Sequence, residues 1–182
     1  MRTAQTAAAL TRLKRIWNDR SISLSSKIRL MRSLVTSIFL YACESWTLKA
    51  KLQRRIQAME MRCYRKTLRI SKKDHVTNEE VRAKIQQAIG LHEDLLTIVK
   101  RRTLQWSGHV SRSSGLARTI LQGTVKGERR QGRQKKRRED NIREWTGLGF
   151  AKSLTAVENG GKWRKMVAKS SLVPQRPSRL RD

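Results

Sequence analysis

Acidic side chains are scarce in this chain. Its 182 residues include 14 Asp and Glu against 42 Lys and Arg, which gives a formal net charge of +28. No Asp-Asp dipeptide occurs, and no acidic residue lies in an apolar context typical of a strand. Two-metal phosphoryl transfer needs carboxylates that hold both ions about 3.5–4 Å apart. Because the GxxxxGK[ST] loop and the GxSxG elbow are also missing, we expect no catalytic residue, no metal, no cofactor, and no polymerase, nuclease or NTPase activity from this chain alone.

Cysteines and long apolar runs are also lacking. Cys43 and Cys63 form no CxxC pair and no Cys/His cluster, which excludes a zinc knuckle or finger. Without a secretory signal peptide, we expect both thiols to be reduced in an intracellular compartment. No run of 18 apolar residues and no lipidation motif occurs, so we expect no membrane partner.

The histidines and the acidic pairs do not form a catalytic centre either. His75, His92 and His109 lie in three widely spaced segments, which argues against a metal site or a catalytic base. The acidic pairs at 79–80, 93–94 and 139–140 each lie near a predicted helix start, where they favour the positive end of the helix dipole. We interpret both groups as structural.

Apolar residues recur at helical spacing through the first 110 positions and predict five helices with no convincing strand. The first predicted helix includes Ala7 to Trp17, and the second begins at a Ser25 or Ser26 cap and reaches about Tyr41. The third covers about Lys51–Leu68. The fourth runs from a Thr77 cap to Gly90, and the fifth from His92 or Asp94 to Gly108. The sequence therefore predicts an all-α fold.

The helical signal weakens after Gly115. Residues 116–124 fit either a short helix or a strand. Glu139–Trp145 resumes a helix with Gly147 past its end, and Trp163 marks a last short helix before a polar tail.

The charge excess predicts a polyanionic partner. Self-repulsion destabilises a free chain of this charge, whereas each neutralised phosphate of a nucleic acid releases counterions. Solubility alone needs a net charge of only about 2–8.

One candidate binding surface is the face of the third helix opposite its apolar stripe, formed by Arg54, Arg55, Arg62, Arg65 and Lys66.

The segment Lys126–Arg138 is the second candidate binding surface. It holds eight basic residues and one Glu, with two Gly and almost nothing apolar, so we expect a disordered arm. The basic residues are Lys126, Arg129, Arg130, Arg133, Lys135, Lys136, Arg137 and Arg138. Eight phosphate contacts predict a salt slope of about −5 to −7. Alternatively the arm is a solvated charge run. Recognition of its last four residues by a nuclear import receptor is compatible with nucleic-acid contact.

Five tryptophans are many beside two Tyr and two Phe. Trp17, Trp106, Trp145 and Trp163 lie on predicted apolar faces, where core packing is the default and stacking on an unpaired base is the alternative. Trp46 lies between predicted helices and is a candidate turn anchor.

Several stretches, taken in order, resemble the carboxy-terminal part of non-LTR (LINE, RTE-type) retrotransposon endonuclease-reverse transcriptases. Residues 40–48 (LYACESWTL), after 27–29 (KIR), are similar to that family's LYGxExWTL segment, and 101–110 (RRTLQWSGHV) to its RRLxWxGHV segment. Further matching stretches are 54–60 (RRIQAME) with Cys63 and 69–70, 77–81 (TNEEV), 132–134 (GRQ), 140–145 (DNIREW) and 162–164 (KWR).

This resemblance implies that the palm with the catalytic aspartates, and the endonuclease, would lie upstream of Met1. The chain would be the thumb and post-thumb region, whose helices grip template–primer while a basic tail holds RNA or target DNA. It implies a thumb-like helical domain over 1–110, a basic linker or arm over 111–138, a short, loosely packed helical region over 139–169 and a disordered tail over 170–182.

The sequence departs from the family pattern at three places. Gln134 stands where the family usually has Pro, and Arg138 where it usually has an apolar Trp before the acidic pair. Asn159-Gly160-Gly161 replaces a charged helical approach to Trp163, and two glycines cost up to about 2 kcal/mol of helix propensity. These departures put the fold after Gly115 in question more than the fold before it.

The main hypothesis is therefore a non-catalytic nucleic-acid-binding fragment of a retrotransposon reverse transcriptase, located in the nucleus or in a cytoplasmic ribonucleoprotein. Two alternatives stay open: that the chain works as part of an RNA-directed DNA polymerase/endonuclease, and that it is a non-functional retrotransposon relic.

Overall fold

The computed structural model describes residues 2–114, 116, 118 and 136–172. Within this part of the chain every regular element is helical, which confirms the predicted all-α class. The helices are α1 (Thr3–Arg12), α2 (Lys14–Asn18), α3 (Leu24–Leu30), a π turn (Met31–Val35), α4 (Thr36–Leu40), a 3-10 turn (Cys43–Ser45), α5 (Ala50–Thr67), a 3-10 turn (Lys72–Asp74), α6 (Asn78–Ile89), α7 (Leu95–Arg112), α8 (Arg138–Thr146), α9 (Phe150–Glu158) and α10 (Gly160–Leu172).

The chain divides into two compact units. The first contains residues up to 43 and 48–99, and the second contains 44–47 and the described residues from 100 onward. The predicted domain boundaries after residues 110, 138 and 169 stay predictions, and most of the predicted arm lies outside the described residues.

The first unit packs α5 against α3 and α6, with α1 against α4 and α5. The fully buried side chains at its centre are Trp17, Ile28, Val35, Phe39, Ile56, Val81, Ile85 and Val99. These residues come from the apolar stripes that the sequence predicts, and their burial is the main stabilising contribution to this unit.

The predicted first helix is in fact two helices, with a break at Leu13. Trp17 Nε1 donates to the Leu10 carbonyl at 2.7 Å, an acceptor that an uninterrupted helix would offer to Lys14. The buried Trp17 therefore satisfies a carbonyl that the break leaves open.

The predicted second helix also differs from the observed structure. Its cap is Ser23, whose hydroxyl accepts from Ser26 N, and neither Ser25 nor Ser26 caps it. The π turn interrupts the helix, and Leu34, predicted on the apolar stripe, is 47% exposed. Five-residue spacing in a π turn shifts the helical register, which a sequence pattern read at 3.6 residues per turn misses.

Helix α6 begins and ends at the predicted residues, and one of the two predicted starts of α7 is observed. Thr77 and Glu80 make a reciprocal capping box, and Gly90 ends α6 with a φ of 74°. Of the two candidates for the start of α7, Asp94 is the residue whose carboxylate accepts from Thr97 N at 3.0 Å.

A buried carboxylate ties α5 to the start of α7. Glu60 is 7% exposed, and its Oε1 accepts from Leu95 N at 2.8 Å and from the Tyr64 hydroxyl at 3.1 Å. Tyr64 Oη also lies 3.1 Å from His92 Nε2. Burial raises the pKa of Glu60 and outweighs the lowering effect of the Leu95 hydrogen bond.

The second unit packs α8, α9 and α10 against one another. Its buried apolar residues include Leu104, Ile142, Trp145, Val157 and Trp163. Sequence analysis missed α9 because glycines precede it and Asn159-Gly160-Gly161 follows it, and packing against two neighbours stabilises a helix this short.

Gly160 and Gly161 form the first turn of α10 and cost less than the sequence analysis expects. Asn159 Oδ1 accepts from Gly161 N at 3.1 Å and from Lys162 N at 3.0 Å, so it caps the helix. The full propensity penalty of glycine applies to helix interiors, and here both glycines lie at the helix start.

Gly108 lies inside α7, which continues to Arg112, so its predicted role as a helix stop is wrong. The Trp163 indole lies over it: Nε1 donates to the Leu104 carbonyl at 3.0 Å, and a Cβ on Gly108 would meet that Nε1 at 2.1 Å. Gly108 is therefore required for the close approach of Trp163.

We expect Gly108→Ala to destabilise the protein by about 1–3 kcal/mol, because the new methyl must displace a buried indole. Urea unfolding followed by tryptophan fluorescence measures this. Gly161→Ala is the matched control: its Cβ meets only Asn159 Oδ1 at an ordinary 3.4 Å, so the change should be neutral or stabilising by up to about 1 kcal/mol. A loss in both variants would contradict the packing role.

Glu60→Gln should change the pH dependence of unfolding. A raised folded pKa means that the native state binds more protons than the unfolded state above the ordinary value of 4.5. The contribution of Glu60 is then fully present below that pH and lost as pH rises through the folded pKa. In urea unfolding, we expect the free energy of unfolding of wild type to fall relative to that of Glu60→Gln as the pH rises through this window.

The control for that series is Glu79→Gln, which alters an exposed carboxylate of the same unit. Its difference from wild type should not show the trend of Glu60→Gln. If the wild-type and Glu60→Gln curves run parallel between pH 4 and 8, the Glu60 carboxyl does not titrate as the structure indicates.

Candidate nucleic-acid interface

A groove in the first unit runs along α5 between α1 and the segment that leads into α6. Its volume is about 880 Å³. Six cations line it: Arg54, Arg62, Arg65, Lys66, Lys72 and Arg82. The other lining residues are Ala7, Leu10, Thr11, Gln57, Ala58, Met61, Ile70 and Asn78, so none of the lining side chains is a carboxylate.

Helix α5 places these cations by its periodicity. Arg54 and Arg65 are separated by eleven residues, close to three whole turns at 3.6 residues per turn, and Arg62 lies within a quarter turn of both. The opposite side of α5 carries the buried residues Ile56 and Cys63. Burial of that side fixes the rotation of the helix about its axis, and therefore the direction of the basic side.

The Arg65 side chain is held in place by the neighbouring wall. Its Nη2 donates to the Val76 carbonyl at 2.7 Å and to Asn78 Oδ1 at 3.0 Å. Asn78 opens α6, immediately after the Thr77 cap. A guanidinium oriented in advance loses less conformational entropy when it binds an anion.

A second cavity of about 340 Å³ continues the groove. It shares Arg65, Lys66 and Ile70 with the first cavity and adds two further cations, Lys14 and Arg69. Arg69 follows the end of α5 in a left-handed conformation with a φ of 60°. The cationic lining therefore extends from α5 around its carboxyl end to α2.

These cations lie close together without a lining carboxylate, and their mutual repulsion favours an anion in the groove. The carboxyl end of α5 offsets part of this repulsion, since Arg65 and Lys66 lie in its last turn, where cations interact favourably with the helix dipole. Arg82 has Glu79 at 3.9 Å, an exposed pair that contributes little to stability.

Of the five residues predicted on the α5 face, four line the groove. Arg55 is exposed elsewhere on the helix. The sequence pattern did not indicate Lys14, Arg69, Lys72 and Arg82, because they lie outside α5. Lys14 is on α2 and Arg82 on α6, while Arg69 and Lys72 lie in the segment after α5, so only the folded chain brings them together.

The described end of the predicted arm has a different environment in the second unit. Arg138 lies over the Trp106 ring at 4.0 Å and donates to the Glu44 carbonyl. Burial lowers the pKa of its guanidinium to about 10. Lys136 pairs with Glu144, and Arg137 is exposed. The other predicted arm residues, Lys126, Arg129, Arg130, Arg133 and Lys135, lie outside the described residues.

Arg138 stands at the position where the family that the sequence resembles usually has an apolar Trp. A guanidinium plane stacks on an aromatic face almost as a ring does, and adds a cation–π attraction. The charge at this position is thus accommodated by Trp106 and the Glu44 carbonyl.

The tryptophans are mainly core residues, as predicted by default. Trp17, Trp145 and Trp163 are buried, and Trp106 is covered in part by Arg138. Among the described residues that line the two cavities, Trp17 is the one aromatic side chain, and at 1% exposure its face is not available for stacking.

In the part of the chain that the structure describes, no group of three His, Cys, Asp or Glu side chains could hold a metal ion. None of the helices described is long and apolar enough to cross a membrane. Burial raises the pKa of the Cys63 thiol to about 12, which keeps it protonated and unreactive as a nucleophile.

The chain was compared with family models, curated proteins and solved structures. No family model matches it. No curated protein and no solved structure matches it either.

Proposed function

We propose that this protein is a non-catalytic nucleic-acid-binding fragment of a retrotransposon reverse transcriptase, which grips RNA or DNA through phosphate contacts. The observation that carries the proposal is the α5 groove, with six cations and no carboxylate in its lining. A net charge of +28 supports it, because the whole chain attracts polyanions. The ordered resemblance in the sequence supports the retrotransposon origin.

Binding through this groove would be directed at the backbone. Arginine and lysine side chains contact phosphates of any sequence, and neither cavity presents an aromatic face on which bases could stack. We therefore expect little sequence preference and a steep dependence on salt. The basic residues between 126 and 135 would add to the same attraction.

Neutralising Arg54 and Arg62 together with Gln should weaken binding to a labelled oligonucleotide. Each lost phosphate contact should reduce the slope of log K against log salt by about 0.7–0.9, so the pair should reduce it by up to about 2. Fluorescence anisotropy between 50 and 300 mM NaCl measures both the affinity and the slope.

The matched control is Lys51→Gln with Arg55→Gln. Both residues are exposed on α5 and neither lines the groove, while the net charge falls by the same two units. We expect a smaller loss of affinity and of slope in this control. Equal losses in the two pairs would show that the groove has no special role, and salt-independent binding would remove the proposal.

The purified chain should not extend a primer. In an assay with template–primer, dNTPs and Mg²⁺ or Mn²⁺, we expect no incorporation above buffer, because two-metal chemistry needs a carboxylate cradle and none is found in the described residues. Metal-dependent incorporation that co-purifies with the chain would contradict the non-catalytic assignment.

A further inference from the structure

The lining of the α5 groove includes apolar side chains, which pure phosphate binding does not require. Ala58 is exposed there, and Ala7 and Ile70 are half-buried. Leu10 and Met61 also line the groove and are almost fully buried. We call these five apolar side chains the floor of the groove and its six cations the rim.

The floor distinguishes between two kinds of nucleic acid. A duplex hides its bases in the stack and presents a charged ridge of phosphates, which would contact the rim and leave the apolar floor against water. An unpaired strand also presents sugars and base faces, whose apolar surface can be buried against aliphatic side chains while its phosphates meet the rim. Burying the floor is favourable in proportion to the apolar area removed from water.

The shape of the groove also suits one strand. Between Arg54 and Arg65 the axis of α5 advances by about 16 Å at 1.5 Å per residue, and the lining continues past Arg65 to Arg69 and Lys14. Walls from α1 and from the start of α6 flank this path. Arg54, Arg65 and Arg69 therefore follow one another along the length of the groove.

We propose that the groove takes an unpaired strand of RNA or DNA, with sugars and bases on the Ala58 floor and phosphates on the Arg54–Arg69 rim, in preference to a duplex. This rests on the proposed nucleic-acid binding and specifies its substrate. Gln57, Asn78 and Thr11 are the remaining polar lining residues.

The test is a carboxylate placed on the floor. Ala58→Glu adds one negative charge at an exposed position of α5, where flanking Arg54 and Arg62 at four-residue spacing favour the helix. Ala83→Glu is the matched control, since Ala83 is exposed on α6 and does not line the groove. The full-length chains are titrated with labelled dT12, which cannot pair with itself, and with the duplex of dT12 and dA12, at 100 mM NaCl.

We expect Ala58→Glu to weaken dT12 binding at least tenfold. Duplex binding should weaken clearly less, by the part that comes from the lower charge of the rim beside Arg54 and Arg62. Circular dichroism and urea unfolding check that both variants keep the wild-type fold. An equal effect of the two substitutions on dT12, or an equal effect of Ala58→Glu on dT12 and the duplex, overturns the single-strand assignment while leaving nucleic-acid binding intact. If wild type binds neither probe, the proposed function falls as well.

Discussion

The two-sidedness of α5 is the constraint on which the first unit and its groove depend. One side buries Ile56, Met59 and Cys63 in the core, and the other carries Arg54, Arg62 and Arg65 into the groove. Because apolar burial supplies most of the folding free energy, it fixes the rotation of the helix. Like charges that repel one another are then held on a shared face by the core beneath them, and the cationic surface exists because burial outweighs that repulsion.

Buried polar groups set the connections around this core. Glu60 holds the start of α7 through Leu95 N, and Lys27, itself 7% exposed, donates to the backbone carbonyls of Trp17 and Asp19. Each of these charged side chains has its partners within the same unit, as a buried charge requires. In the second unit Trp163 and Arg138 act likewise, through the Leu104 and Glu44 carbonyls. In both units, therefore, a long side chain satisfies a backbone N–H or carbonyl group.

An apolar floor under a basic rim gives the groove two physically different sources of affinity. Coulombic attraction to phosphate weakens as salt rises, whereas contact between sugars or bases and the Ala58 surface does not. Binding by the rim alone would be the same for any polyanion. The floor adds affinity only for a nucleic acid that exposes apolar surface, so the groove should prefer an unpaired strand to a duplex.

Local rules of the chain determined much of this protein: the all-α class, the Thr77 capping box, the Gly90 stop and the basic side of α5 all follow from periodicity and from interactions within a few residues. Only the tertiary structure decided the rest. Gly108 looks like a helix stop until the indole of Trp163, 55 positions later in the sequence, lies on it. Lys14, Lys72 and Arg82 join the groove through packing between distant elements. Such contacts join residues that are far apart in the sequence, so no local sequence pattern indicates them.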